Sequence, residues 1–161
     1  MTREILFKAK LKDWKTNPVQ NKWVEGFYLQ REETTYCVME DYERNPVKTL
    51  HFIAAECMTD WGLPNEFRLY EIDPDTLCQY INFEDDNKNK IWENDIVECN
   101  YDGEEMVRIV IYDEDELDFK VTNGEKYYQT DFEYIPSCDY LLVLGNIFDN
   151  PDLLDVKHKW Y

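Results

Sequence analysis

The stretch that decides the fold runs from Gln79 to Asn100 and reads QYINFEDDNKNKIWENDIVECN. Residues 85–89 are a cluster of Asp and Asn around one Lys, and Asp and Asn favour turns and tolerate left-handed backbone. A second turn is predicted at 93–95. Each turn returns the chain to an apolar pair, first at 91–92 and then at 96–97, and β-branched and aromatic residues favour strands. Two turns this close together indicate a small curled sheet.

Alternating apolar residues predict strands on both sides of this stretch. Near the N terminus, Ile5, Phe7, Ala9 and Leu11 alternate with polar residues, which is the two-residue period of a half-buried strand. Further strands are predicted at Trp23–Leu29, Thr34–Met39, Leu50–Ala55, Phe67–Ile72, Met106–Tyr112, 117–121 and Tyr140–Leu144. The strand that carries Ile5 to Leu11 and the strand at Trp23–Leu29 are expected to form a long hairpin.

Turn signals divide the chain into regions. Asp73-Pro74-Asp75 predicts a turn and places a boundary near residue 76. Asn123-Gly124 predicts a hairpin turn into a strand at Lys126–Thr130. Asn150-Pro151-Asp152 predicts a short C-terminal helical turn, since Asn favours the N-cap and Pro the first helical position. The sequence therefore predicts an all-β protein with an N-terminal β region at 1–76, a second β region at 77–150 and a tail at 151–161.

Five segments of the chain together resemble the YopX-like family of phage and prophage proteins. They are Arg3–Ala9, Lys22–Tyr28, Gln79–Tyr80, Asp86–Val97 and Gly145–Leu154. The resemblance implies a mostly β protein that opens with a β-hairpin and has an SH3-like small barrel in its second half. It implies no particular biochemical activity.

The chain departs from this family at three turn positions. Where the family tends to carry Gly, this chain has Asn82, Asn89 and Asn94. Asn is the non-glycine residue that enters the left-handed region at the lowest cost. We therefore expect the turn geometry to survive these replacements, with left-handed backbone at Asn94.

Charge is distributed unevenly along the chain, whose formal net charge is −18. Residues 1–76 hold 10 Lys or Arg and 14 Asp or Glu, a net charge of −4, whereas residues 77–161 hold 7 and 21, a net charge of −14. Such a surface repels the phosphates of nucleic acid. The charge thus predicts no direct nucleic-acid binding and favours a basic partner, which the resemblance implies would be a host or phage protein.

Cysteine usage and hydropathy predict a soluble intracellular protein, and the resemblance to a phage family implies the cytoplasm of a bacterial host cell. No apolar run approaches the roughly 18 residues needed to cross a membrane, and the first residues do not resemble a secretory signal. The cysteines at positions 37, 57, 78, 99 and 138 are odd in number, and none forms a Cys-x-x-Cys pair. This pattern favours free thiols in a reducing compartment over a zinc site.

No combination of residues predicts catalysis. Ser137 is the single serine, and its possible histidine partners, His51 and His158, do not make a serine mechanism credible. His51 lies in a predicted strand, where a histidine without a Cys or His nearby is expected to be structural. The five glycines are isolated, so no phosphate-binding loop is present in the sequence. We predict no enzyme and no cofactor.

Two acidic segments were considered as metal sites. Residues 85–90 begin like an EF-hand calcium loop, but Lys90 occupies the sixth position, which needs Gly, and Ile96 the twelfth, which needs Glu. The four acids at 113–116 are interpreted as the solvated tip of a hairpin, with a carboxylate metal site as the alternative. We predict no metal.

Aromatic residues supply candidates for an interface. The chain has 5 Trp, 12 Tyr and 8 Phe, and most should fill the core and pair across strands. A small β structure buries few side chains, so some aromatic residues should remain for contacts with another molecule. The candidates are Trp14, Trp23, Tyr28 and Trp92.

These observations lead to two hypotheses for function. The first is a non-enzymatic protein-interaction or assembly module that forms a homo-oligomer through the edge of its N-terminal hairpin, because two copies meeting through residues 77–161 would repel each other. The second is an acidic mimic of nucleic acid that binds a basic host protein. An exposed apolar patch would favour the first hypothesis, and rows of carboxylates would favour the second.

Overall fold

The computed structural model describes residues 3–123 and 132–154. The strands are β1 (Phe7–Lys10), β2 (Trp23–Glu32), β3 (Thr49–Cys57), β4 (Glu66–Glu71), β5 (Cys78–Glu84), β6 (Lys90–Trp92), β7 (Asp95–Tyr101), β8 (Glu104–Asp113), β9 (Asp118–Thr122), β10 (Phe132–Tyr134) and β11 (Tyr140–Asn146). The described residues also contain one α-helix, α1 (Met39–Arg44), and 3₁₀ turns at Pro18–Gln20, Pro74–Thr76, Ile135–Ser137 and Pro151–Leu153. The strand predicted at Lys126–Thr130 and the tail beyond residue 154 lie outside the described residues.

The predicted all-β class is confirmed, as is the short helical turn near the C terminus. The strand predicted at Thr34–Met39 is wrong, because α1 begins at Met39 and residues 34–37 belong to no strand. Glu40 and Asp41 lie in the first turn of α1 and Arg44 in its last. This arrangement complements the helix dipole and outweighs the β propensity of the preceding residues.

The chain divides into two compact units, Ile5–Leu77 and Cys78–Tyr161 with Met1–Glu4. Whether they fold separately, as the predicted division into 1–76, 77–150 and 151–161 suggests, stays a prediction. In the unit Ile5–Leu77 the strand order is β4-β3-β2-β1, and all pairs are antiparallel. One side of this sheet forms a core around Ala9, Ile53 and Ile72.

The strand β2 changes its pairing partner at Gly26. Its first residues pair with β1, where Trp23 lies opposite Lys10, and its later residues pair with β3, where Phe27 lies opposite Ala54. A Cβ atom at position 26 would overlap the carbonyl oxygen of Ala54. Only glycine therefore allows the two strands to approach this closely.

The last strand of this sheet returns to the first at one end. Leu11 forms a bridge with Ile72, the Lys12 N–H donates to the Glu71 carbonyl oxygen at 3.1 Å, and the Asp73 N–H donates to the Lys10 carbonyl oxygen at 3.0 Å. These bonds cover the C-terminal end of β4. The sheet is thus partly closed, with the remainder of β4 at its open edge.

In the second unit, five strands form an antiparallel sheet in the order β10-β9-β8-β7-β11. The strands β5 and β6 form a hairpin in which Tyr80 lies opposite Trp92. The core consists of buried apolar residues from several of these elements, namely Ile91, Val97, Cys99, Met106, Val110, Val121, Ile135 and Leu141.

The carboxylate of Asp85 holds the β5–β6 turn against β11. Asp85 is buried and accepts hydrogen bonds from the backbone N–H groups of Asn87 at 2.9 Å, Asn89 at 2.8 Å and Val143 at 3.1 Å, and from the Asn89 side-chain amide at 3.0 Å. The residues that resemble the start of a calcium loop thus form a structural turn. Burial alone would raise the pKa of Asp85, but the hydrogen bonds hold that pKa below its usual range.

Left-handed backbone occurs at most of the expected turn positions. Asn82 has a φ of 61° and Asn94 a φ of 65°, as expected for Asn in place of Gly. In the turn at residues 85–89, Lys88 adopts this conformation, with a φ of 68°, and Asn89 does not. The reason is local, since Asp85 accepts from both the backbone and the side chain of Asn89.

We expect Asp85→Asn to lower the free energy of unfolding by about 2–4 kcal/mol at pH 7, because an amide cannot replace an anion that accepts several buried hydrogen bonds. The folded-state pKa lies below that of an unfolded Asp, about 3.9, so the contribution is complete above that pH and is lost as the pH falls through the folded-state pKa. Urea denaturation at several pH values measures it. The same substitution at the exposed Asp115 should change stability by less than about 0.5 kcal/mol, and equal losses would contradict the role of Asp85.

We expect Asn94→Gly to be tolerated and Asn94→Val to lower the melting temperature, with a loss of about 1–2 kcal/mol, because β-branched residues are strained at positive φ. Thermal unfolding of the two variants beside the unaltered protein provides the comparison. Equal melting temperatures for Gly and Val would show that the left-handed conformation does not constrain this turn.

Candidate interaction surface

The side of the β2-β3-β4 sheet that faces away from the core is apolar and exposed. Strand side chains alternate between the two faces, so the residues beside the inward-facing Ile53 and Tyr28 point outward. Four of the outward residues are large and about half exposed, and we call them the outer-face cluster: Phe27 (49%), Leu29 (47%), Phe67 (61%) and Leu69 (58%).

Contacts within the sheet join this cluster into one surface. The rings of Phe27 and Phe67 meet edge to face, with centroids 5.9 Å apart. Ala54 lies opposite Phe27 on one side and Leu69 on the other, so it joins these two residues across the sheet. Contiguous apolar surface on a protein marks an interaction site more often than scattered apolar residues do. The outer-face cluster is therefore the strongest candidate for a functional surface among the described residues.

Two of the residues predicted for an interface, Trp14 and Trp23, contact a buried lysine. Lys10 is only 1% exposed, and its ammonium lies 4.4 Å from the ring centroid of Trp14 and 5.2 Å from that of Trp23. The ammonium also donates to the Asn21 side chain at 2.5 Å, and Trp14 Nε1 donates to Asp73 at 2.9 Å. Cation–π contacts and hydrogen bonds of this kind compensate a charge removed from water. Both tryptophans thus stabilise the connection between β1 and β2.

The other two candidates, Tyr28 and Trp92, lie elsewhere. Tyr28 packs against the core of its unit, and its hydroxyl is in hydrogen-bond contact with His51 Nδ1 at 2.7 Å. Trp92 is 6% exposed, and its ring centroid lies 5.5 Å from that of Tyr80. The structure brings Trp14 and Trp23 together through Lys10, whereas Tyr28 packs against the core of the same unit and Trp92 belongs to the other unit. That any of the four forms an interface stays a prediction.

The sequence contains a signal for the outer-face cluster that was missed. In both Trp23–Leu29 and Phe67–Ile72, apolar residues occupy odd-numbered and even-numbered positions, so neither face of the strand is consistently polar. A half-buried strand normally alternates apolar and polar residues. An apolar residue on the solvent face of such a strand marks contact with a further element or with another molecule.

Two of the four acids at 113–116 pair with a lysine. Lys120 is buried and pairs with Asp113 at 2.6 Å and Glu116 at 2.8 Å, and Tyr134 donates to Glu116 at 2.6 Å. Hydrogen bonds and charge attraction from Asp113 and Glu116 raise the pKa of Lys120, and Lys120 lowers the pKa of both carboxyls. Within residues 3–123 and 132–154, no group of three His, Cys, Asp or Glu side chains is arranged to hold a metal ion.

The cysteines of the described residues are free thiols, of which Cys78 and Cys99 are buried and Cys37 is exposed. A hydrogen bond with Cys99 lowers the pKa of Cys138, and the same bond raises that of Cys99. No helix in the described part of the chain is long and apolar enough to span a membrane.

The fold and this surface define a mostly β protein with an exposed apolar sheet face. The family model of the YopX protein matches residues 14–155, and the chain belongs to this family. The resemblance seen in the sequence is thereby confirmed. A comparison with curated proteins finds no match.

We expect Tyr28→Ala to lower the free energy of unfolding by about 2–4 kcal/mol, since it removes a ring packed in the core, whereas Leu29→Ala should cost less than about 1 kcal/mol. Urea denaturation of both variants at a concentration where the protein is monomeric gives these values. A larger loss for Leu29→Ala would show that the outer face is part of the folded core.

Proposed function

We propose that this YopX family member is a non-enzymatic, phage-type protein-interaction module that acts in the bacterial cytoplasm and assembles with copies of itself through the unit Ile5–Leu77. The observation that carries the proposal is the outer-face cluster, whose four apolar side chains are 47–61% exposed on one regular sheet face. Burying such side chains contributes about 25 cal/mol per Å² of apolar area.

The distribution of charge supports self-association through this unit. Residues 1–76 have a net charge of −4, and residues 77–161 a net charge of −14. Two copies that met through their C-terminal units would bring strongly like-charged surfaces together, whereas contact through the N-terminal units joins the less charged parts of the two chains. Electrostatic repulsion thus selects the same half of the chain that carries the outer-face cluster.

An acidic mimic of nucleic acid is the alternative function. A mimic needs unpaired carboxylates at regular spacing. In the most acidic segment, however, Asp113 and Glu116 both form ion pairs with Lys120. This pairing gives the mimic less support than the apolar surface gives the module. Capture of a basic nucleic-acid-binding protein by the purified chain, abolished by high salt, would favour the mimic.

We expect the protein to be an oligomer at tens of micromolar and Leu29→Glu to shift its mass towards the monomer, because a carboxylate cannot be buried in an apolar contact without loss of its hydration. Multi-angle light scattering measures the mass. Leu144→Glu in β11 is the matched control, since Leu144 is 43% exposed and lies in the other unit.

A monomeric unaltered protein would overturn the proposal. So would an oligomer that tolerates Leu29→Glu and dissociates with Leu144→Glu, because that result would place the contact in the C-terminal unit.

A further inference from the structure

The strand β4 has an open edge next to the outer-face cluster. Ile72 N donates to the His51 carbonyl oxygen at 3.0 Å, which fixes the alternation of hydrogen bonds along the β3–β4 pair. The even-numbered residues of β4 therefore direct their backbone groups towards β3. The odd-numbered residues, Phe67 and Leu69 among them, direct their N–H and C=O groups away from it.

Only part of this edge is covered within the chain. The outward carbonyl of Glu71 accepts from Lys12 N, whereas Phe67 and Leu69 have no backbone partner on that side among the described residues. An open strand edge is a template for pairing with another strand, and natural proteins usually block it with charge, proline or a covering segment. Here the open part carries Glu66 and Arg68 on one face and two apolar side chains on the other.

These side chains make β4 complementary to itself. In an antiparallel pair of two β4 strands, a two-fold axis through Phe67 places Glu66 of each copy opposite Arg68 of the other. Opposite charges at directly facing positions stabilise a strand pair, and like charges destabilise it. The two Phe67 rings meet on the outer face, where each already contacts Phe27 of its own copy.

Neighbouring registers fit less well. An axis through Glu66 places two carboxylates opposite each other, and an axis through Arg68 does the same with two guanidinium groups. An axis through Leu69 requires the backbone of Glu71 to bond Phe67 of the other copy, although Lys12 N already occupies the Glu71 carbonyl. The axis through Phe67 avoids all three conflicts.

We propose that two copies of this chain pair through β4 in antiparallel orientation around Phe67, with Glu66 of each copy facing Arg68 of the other. The proposal rests on the self-association proposed above and specifies its partner, edge and register. The pairing joins two four-stranded sheets into one, and it combines the two outer-face clusters into a single larger apolar surface. A closed two-fold contact of this kind limits assembly through β4 to a dimer.

The test mixes two variants with opposite charge changes, Glu66→Arg and Arg68→Glu. Each variant alone places like charges opposite each other at both pairs, so we expect its dimer dissociation constant to rise about tenfold or more. An equimolar mixture restores both attractive pairs in the heterodimer and should recover the dimer mass. The intrachain contact between Arg68 Nε and Glu66, 3.0 Å in the structure, is broken in both variants and cannot be rebuilt by mixing.

Light scattering over a concentration series of each variant, the mixture and the unaltered protein separates the outcomes. Single variants that associate as tightly as the unaltered protein overturn the β4 contact while leaving self-association intact. Weak single variants whose mixture stays weak overturn the register. A monomeric unaltered protein overturns the proposed function itself.

Circular dichroism of each variant checks that the fold is kept. Both positions are exposed, with side chains 50% and 57% accessible, so we expect no unfolding. If a variant fails to fold, Glu66→Lys and Arg68→Asp make the same test with shorter replacement side chains.

Discussion

The close approach of β2 to β3 at Gly26 constrains the whole N-terminal unit. With no side chain at this position, β2 can leave its pairing with β1 and enter its pairing with β3 within a single residue. This change of partner leaves the start of β2, with Trp23, beside Lys10, and the end of β2 in the sheet that carries the outer-face cluster. Any larger residue at position 26 would push β2 away from β3 at Ala54.

In both units, buried charged side chains are stabilised by contacts with several partners. Lys10 and Lys120 are each surrounded by aromatic rings and oxygen acceptors, while Asp85 is surrounded by N–H donors. A buried ion without such partners would cost several kcal/mol, so each group fixes the segments that supply its partners. These three side chains therefore determine the conformation of the β1–β2 connection, the β8–β9 hairpin and the β5–β6 turn.

Much of the fold follows from local pattern in the sequence. The strands at Phe67–Ile72 and Met106–Tyr112 and the left-handed turn at Asn94 depend on neighbouring residues and could be predicted. The burial of Lys10 could not, because it depends on Trp14 and Trp23, which reach it only after the hairpin has formed. The outer-face cluster was missed for a related reason. The period of a strand shows which residues share a face, but it does not show which face the core occupies. The abundance of aromatic residues predicted an interface at tryptophans, two of which contact Lys10 of their own chain.

The order of the strands also determines how far apart in the chain the pairing partners lie. In the N-terminal unit each strand pairs with the next one in sequence, β1 with β2, β2 with β3 and β3 with β4. In the C-terminal unit β7 pairs with β11, for example Val97 with Val143, and β8, β9 and β10 lie between these two strands in the sequence. Closing a long loop before its contacts form slows folding. As the chain leaves the ribosome, the pairs β1–β2, β2–β3 and β3–β4 can therefore form from local contacts, whereas the pair β7–β11 must wait for the last strand.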